Sequence, residues 1–257
     1  MDVLIDRREL LEKARQKGLN LMIVEKDCVL GWLLFGYSRV PNLVFKGGTA
    51  LSKIYFPKIW RLSEDLDFSL IVGEFQTVLD ETDEIFYEIR KKSGIELSLK
   101  SRHQNPDYLQ LKIQYQGVIG RNWIKVDVTK NDLVEKPLMK AIHREYSDYI
   151  PFKIKVESLE EIFASKLRTV IERKKCRDYF DLWQLSKMEF DRQRVGKIFI
   201  EKCAIKKIRF KGKNQIFPGD LLQTLKPYWE RELGRLINPV PDMKEVLNDL
   251  RESLKLL

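Results

Sequence analysis

Residues 108–116, YLQLKIQYQ, carry an apolar side chain at every second position, so Leu109, Leu111, Ile113 and Tyr115 share one face of an extended chain. A segment with that period has one face to bury and needs neighbours to complete its backbone hydrogen bonds, which commits this part of the chain to a sheet. Residues 123–129, WIKVDVT, repeat the pattern, with Ile124, Val126 and Val128 on one side and Trp123, Lys125, Asp127 and Thr129 on the other. Further strands are expected at NLVFK (residues 42–46), at 65–72 (DLDFSLIV) and at 95–100, interspersed with helices over 6–17, 21–36, 49–55 and 76–92. Helices mixed with mostly sequential strands imply an α/β or α+β sheet domain.

After Pro151 the pattern turns helical. Ser158-Leu159-Glu160-Glu161 has the spacing of a capping box, and the helix it opens runs to about Arg173. Another helix is expected over 177–187, and several more to residue 257, broken near Gly212, Pro227, Pro239 and Pro241. The chain thus divides into a sheet domain with N-terminal helices (1–150) and a helical domain (151–257).

Charge follows the same division. Of the net +9, residues 1–150 carry +1 and residues 151–257 carry +8, concentrated in Arg173-Lys174-Lys175-Cys176-Arg177 and in Lys202 to Lys213, a run with no acid. That asymmetry suits a polyanionic partner, and equally a solvated lysine-rich surface. With 44% apolar residues the chain can fill a core, but no window nears the ~20 apolar residues of a membrane span. The charged start, MDVLIDRREL, lacks the apolar stretch of a signal peptide. Three scattered cysteines (28, 176 and 203) point away from a disulfide framework and towards a reducing cytoplasm, and two histidines leave little material for His-based metal sites or triads.

The chemistry concentrates in Lys46-Gly47-Gly48-Thr49-Ala50-Leu51-Ser52-Lys53, followed by Arg61, Ser63, Glu64, Asp65, Leu66 and Asp67. On a strand Asp65 and Asp67 project together, and two carboxylates ~4 Å apart repel by ~4 kcal/mol at an effective dielectric near 20. A Mg²⁺ ion relieves that repulsion; so does full solvation at a strand end. Gly47-Gly48-Thr49, between a strand and a helix, can bring backbone N–H groups close to a phosphate, with Thr49 capping the helix and bonding a phosphate oxygen, or can be a plain tight turn. The spacing is not that of a Walker A loop. Asp127 leaves the polar side of its strand; if that strand lies beside Asp65 and Asp67, three carboxylates converge, two to bridge metal ions and one to activate a hydroxyl. Pairing with Lys125 or capping the next turn are the alternatives for Asp127.

These residues resemble the nucleotidyltransferase superfamily of the DNA polymerase β type, and more closely the AbiEii/AbiGii toxin family. The run FKGGTALSKIYFPKIWRLSEDLDFS carries the family's Lys-Gly-Gly-Thr and Ser-Glu-Asp-x-Asp elements, and SLEEIFASKLRTVIERKKCRDYFDLWQL carries its later pattern. The likeness runs from about Val24 to about Leu185, with a looser echo in PYWERELGRLINPVPDMKEVLNDL. It implies an α+β (α/β-like) polymerase β-type domain with a mixed central sheet, followed by a mainly helical C-terminal domain that contributes Lys166 and Asp181 to the site.

The same resemblance implies roles. Gly47, Gly48 and Thr49, with Ser52, Lys53, Arg61 and Ser63, would hold the nucleotide; Asp65, Asp67 and Asp127 would bind Mg²⁺ in a two-metal site. Lys166 would contact the triphosphate, and Asp181, or else Asp178, would be the final acid. Ile162, Lys166, Thr169 and Arg173 form one helical stripe, so Arg173 is a secondary candidate. A surface lysine at 166 and a salt bridge from Asp178 to Arg177 or Arg173 are the plain alternatives. Fifteen residues lie between Thr49 and Asp65, more than in compact superfamily members, which leaves the parts played by Arg61 and Ser63 open.

The implied activity is transfer of a nucleotide from an NTP to an acceptor hydroxyl, with RNA, the tRNA 3′ end, as acceptor and release of pyrophosphate. The implied setting is a toxin of a toxin–antitoxin or abortive-infection system, with a separate antitoxin as protein partner and no membrane. Two other readings use the same scaffold: a non-catalytic RNA- or partner-binding protein, and an enzyme that attaches AMP to a protein hydroxyl.

Overall fold

A computed structural model describes residues 6–254 of the chain; residues 1–5, part of the charged start, lie outside the described residues. The chain separates into two compact units. The first runs up to Asp132 and takes in Lys136–Glu157; the second comprises Leu133–Glu135 and the part from Ser158 onward.

The first unit begins with α1 (Arg7–Lys17), capped by the Asp6 carboxylate and stopped at Gly18, and α2 (Leu21–Tyr37). Then come β1 (Leu43–Lys46) and α3 (Gly47–Ala50), which runs on as a π-helical turn over Leu51–Tyr55. Next are β2 (Asp65–Leu70), α4 (Phe75–Asp80), α5 (Thr82–Ser93), β3 (Glu96–Asn105), β4 (Tyr108–Gln116), β5 (Arg121–Thr129), β6 (Leu138–Ala141) and β7 (Lys153–Val156). Among the described residues these strands form one mixed sheet in the order β3-β4-β5-β2-β1-β7-β6. β2 lies parallel to β5 and β1 parallel to β7; the other pairs are antiparallel.

The alternation expected of β4 and β5 is present: Leu109, Leu111 and Ile113 and, beside them, Ile124, Val126 and Val128 are fully buried. Leu66 and Phe68 extend that apolar surface onto β2, and the Phe68 ring meets those of Phe45 and Tyr37 at 5.4 and 5.8 Å. Each such side chain contributes about 1.5–3 kcal/mol by leaving water. α2, buried from Ile23 to Tyr37, packs on β2 and β5 and against α5, where a Cβ at Gly36 would stand 2.3 Å from Ile85.

Four expectations need correcting. The helix expected at 49–55 begins at Gly47, so Thr49 sits inside it and does not cap it. The helix expected over 76–92 is two helices meeting at Glu81, where four acids within Asp80–Glu84 repel along a single turn. β3 extends to Asn105, beyond the expected residue 100, and is exposed over most of its length because it is the sheet's edge. The short strands β6 and β7 were not expected, and the residues after Pro151 therefore start with a strand rather than a helix.

The second unit holds α6 (Leu159–Glu172), α7 (Cys176–Ser186), α8 (Arg192–Ile205), a 3₁₀ turn (Lys213–Gln215), α9 (Leu221–Leu225), α10 (Trp229–Leu233) and α11 (Met243–Ser253). The capping box forms as its sequence implies: the Ser158 hydroxyl accepts from the Glu161 backbone N–H, and the Glu161 carboxylate accepts from that of Ser158. α6 packs against α7 and α8, and α7 against α10 and α11. The three cysteines are buried and free. Among the described residues no helix is long and apolar enough to cross a membrane.

Candidate active site

The strand registers place four polar residues in one row across the sheet. Lys46 on β1 is opposite Asp67 on β2, Asp67 is opposite Asp127 on β5, and Asp127 is opposite Gln110 on β4. Asp65 lies two residues before Asp67 and on the same side, opposite Lys125. This is the face turned away from Leu66, Phe68, Val126 and Val128, and Asp65, Asp67 and Asp127 are all partly exposed on it.

Each end of the row is held. Asp127 Oδ1 accepts from the Tyr108 hydroxyl at 2.7 Å and from Gln110 Nε2 at 2.9 Å. Burial first, and then the Asp127 carboxylate it faces, push the Tyr108 phenol well above its ordinary range, so it stays a proton donor. At the other end the Lys46 ammonium donates to the Thr129 hydroxyl at 2.6 Å and pairs with Asp132 at 2.5 Å. Lys46 heads the run singled out in the sequence but had no role assigned there, and Tyr108, Gln110 and Asp132 were not among the expected site residues. The polar positions of the 108–116 alternation hinted at Tyr108 and Gln110, but only the register shows which of them meets Asp127.

Gly47 is where the row meets the helix. Its φ is +79°, and a Cβ there would lie 2.6 Å from Asp67 Oδ2, so both backbone and space demand glycine. Gly48 is buried beside it. The Thr49 hydroxyl donates to the Asp65 backbone carbonyl at 2.5 Å, tying α3 to the start of β2; this bond replaces the expected cap.

Four other expected nucleotide ligands are placed in the interior. Ser52 is buried and donates to the Thr49 carbonyl. Lys53 is 1% exposed, and its ammonium meets Asp27 Oδ2 at 2.5 Å over the rings of Tyr146 and Tyr149. The α-to-π run turns Lys53 inward, so it braces α2 rather than facing an incoming phosphate. Arg61 is buried, with Nη1 donating to the Leu62 carbonyl, and Ser63 is buried next to it.

In the second unit Lys166, only 9% exposed on α6, meets both candidate acids of α7: Asp178 Oδ1 at 2.8 Å and Asp181 Oδ2 at 2.7 Å. The two acids are three residues apart and so share a helix face. Arg173 lies just past α6, with an extended backbone, and its Nε donates to Asp178 Oδ2 at 3.0 Å. Burial alone would raise the Asp178 carboxyl; the Lys166 ammonium and the Arg173 guanidinium overcome it and hold the group at about 2. Beyond this network, Lys206, Lys207, Arg209, Lys211 and Lys213 are exposed, while Lys202 of the same basic run is buried.

Asp65, Asp67 and Asp127 suit a hard divalent cation in donor chemistry, since all are carboxylates and two stand opposite each other on neighbouring strands. The Gly47 cradle, which a Cβ would fill, leaves Asp67 room beside the helix start. Among the described residues no three His, Cys, Asp or Glu side chains are drawn into a closed metal cage. A concavity of about 500 Å³ at the β3 edge, lined by Phe86, Arg90, Leu97 and Arg121 among others, contains none of these acids.

No curated protein sequence matches the chain. Several solved structures share its fold. The nucleotidyltransferase toxin MenT4 of Mycobacterium tuberculosis superposes with a TM-score of 0.73 at 21% identity, over 97% of this chain and 88% of that one. JHP933 of Helicobacter pylori gives 0.64 at 18% identity over 93% and 92%, and a putative nucleotidyltransferase from H. pylori gives 0.64 at 17% over 93% and 95%. The family model "Nucleotidyl transferase AbiEii toxin, Type IV TA system" matches residues 32–254, and the chain therefore belongs to that family, the nucleotidyltransferase toxins of type IV toxin–antitoxin systems.

Proposed function

We propose that the chain moves a nucleotide from an NTP to an RNA hydroxyl, with the tRNA 3′ end as acceptor, and that it does so with Mg²⁺. The acceptor oxygen attacks the α-phosphorus, the bond from that phosphorus to the oxygen bridging to the β-phosphorus breaks, and pyrophosphate leaves. The observation that carries this reading is the register that sets Asp67 opposite Asp127 above a glycine helix start.

In this reading Asp65 and Asp67 hold the cation, with Asp127 next to them. Two Mg²⁺ ions, when bound, neutralise the triphosphate and favour ionisation of the attacking hydroxyl. Asp127, its Oδ1 fixed by Tyr108 and Gln110, orients the acceptor hydroxyl and takes its proton. The backbone of Gly47 and Gly48 approaches the phosphates. Lys166, between Asp178 and Asp181, is assigned to the charge of the leaving pyrophosphate. The exposed lysines and arginine of residues 206–213 supply the salt-dependent grip on the RNA backbone.

The test is incubation of the purified chain with Mg²⁺, each labelled NTP and total RNA. Label enters RNA, and Asp67→Ala lowers the rate by at least about a thousandfold, the order expected when a metal-holding carboxylate is removed. No transfer from any of the four NTPs, or transfer unchanged by Asp67→Ala, overturns the reading. Label appearing on a protein hydroxyl overturns the choice of acceptor alone.

A further inference from the structure

Trp123 stands where a tryptophan serving only the core would not. The apolar face of β5 is supplied by Ile124, Val126 and Val128, and Trp123 alternates onto the other face with Lys125 and Asp127, partly exposed. Three ammonium groups surround its ring. Lys112 Nζ lies 3.8 Å from the ring centroid, Lys26 Nζ 5.1 Å and Lys125 Nζ 5.7 Å. Lys112 and Lys125 are cross-strand partners, and Lys125 is in turn opposite Asp65.

Two features of this cluster point to a ligand. The negative face of the indole, Glu64 at 3.8 Å from Lys26 and Asp65 across from Lys125 offset repulsion among the three cations. An anion arriving between Lys112 and Lys125 adds to that offset. An aromatic plane ringed by cations is also the arrangement that binds single-stranded nucleic acid, because every base has a face to stack and every nucleotide brings a phosphate. The location adds direction: along β5 the cluster leads through Lys125 to Asp127, about 13 Å at ~3.3 Å per residue, the length of a few stacked nucleotides.

We propose that Trp123, Lys112 and Lys125 form the dock for the single-stranded end of the RNA acceptor. A base near the 3′ end stacks on the Trp123 ring, the Lys112 and Lys125 ammonium groups shift from the ring to its phosphates, and the terminal hydroxyl is led along β5 towards Asp127. The inference rests on the reading that the acceptor is RNA, and it places the end of that RNA on the sheet unit, whereas the charge of the sequence alone favours the C-terminal part.

The experiment measures binding without turnover. The full chain, with no NTP present, is titrated with a short single-stranded oligoribonucleotide carrying 2-aminopurine near its 3′ end, read by anisotropy and by 2-aminopurine quenching. Trp123→Ala weakens binding about tenfold and abolishes the quenching, and Trp123→Phe restores most of both. Lys112→Ala/Lys125→Ala lowers the slope of log K against log salt by about 1.4. NTP binding and the melting temperature of each variant stay near wild type. Unchanged oligonucleotide binding and quenching in Trp123→Ala overturns the dock, whether or not the chain transfers nucleotides. So does a wild-type chain that does not bind the oligonucleotide but labels a protein. If the oligonucleotide binds through Trp123 and no RNA is labelled, the dock stands and the proposed reaction falls by itself.

Discussion

Asp27 and Asp178 are both buried carboxylates facing a buried lysine, yet their proton affinities move in opposite directions. Burial pushes the Asp27 carboxyl above the ordinary range in spite of Lys53 beside it, whereas Asp178 is held at about 2. The difference is one of count and sign. Asp27 has Lys53 as its cation and feels the negative Glu145, while Asp178 has Lys166 and the Arg173 guanidinium together. Desolvation of a carboxylate is thus only partly met by one ammonium and is overcome by two cations. The first pair is a brace between α2 and the helix after β1; the second is a network in which an ionised carboxylate and its neighbour Asp181 fix the position of Lys166.

The sharpest way to break that comparison is Lys166→Met. It leaves Asp178 and Asp181 buried beside a weakened set of cations, and stability falls by about 3–5 kcal/mol while nucleotide transfer drops at least about a hundredfold in the fraction still folded. Denaturant melts and single-turnover labelling, run side by side, separate the two losses. Retained transfer in the folded Lys166→Met chain returns Lys166 to the same class as Lys53.

The Lys53 brace should be replaceable. Lys53→Met alone costs about 3–5 kcal/mol by stranding Asp27, but Asp27→Leu/Lys53→Met recovers to within about 1 kcal/mol of wild type and leaves transfer intact. A folded double variant that has lost transfer would mean that Lys53 takes part in the chemistry after all.

The smallest effect is on acid stability. The Asp178 carboxyl lies below its ordinary value near 3.9, so the stability it contributes, about 2 kcal/mol, is fully present above that value and is lost as pH falls through about 2. The gap between wild type and Asp178→Asn, followed by urea melts, therefore closes over that window. A gap that stays constant to pH 2 contradicts the ionised network.

Much of the sheet was legible because its central strands each bury one face: residues 108–116 and 123–129 cannot satisfy that period in any other way. The capping box at Ser158 was legible because it is local. β6 and β7 were not, since four-residue strands such as LMKA and KIKV carry little pattern and exist through pairing with one another and with β1. Among the expected site residues, Asp65 and Asp67 share a face as their spacing implies, and register, which the sequence does not spell out, sets Asp127 beside them and adds Lys46 and Gln110 to the row. Lys53, close after a glycine pair, reads as a phosphate ligand from the sequence, and only the helix phase shows it turned towards Asp27. The cluster around Trp123 was overlooked for a similar reason: Lys26, Lys112 and Trp123 are far apart in sequence and meet only in three dimensions.

Gly47 has a further consequence in genetics. Any change in the first two bases of a glycine codon installs a side chain or a stop, and at this position a side chain meets both a left-handed backbone and the Asp67 carboxylate. In cells selected to survive unopposed expression of the toxin, codon 47 is therefore a one-step route to silencing, and surviving colonies should carry missense changes there more often than at codons 196 or 219, whose glycines have open space around them and no left-handed backbone.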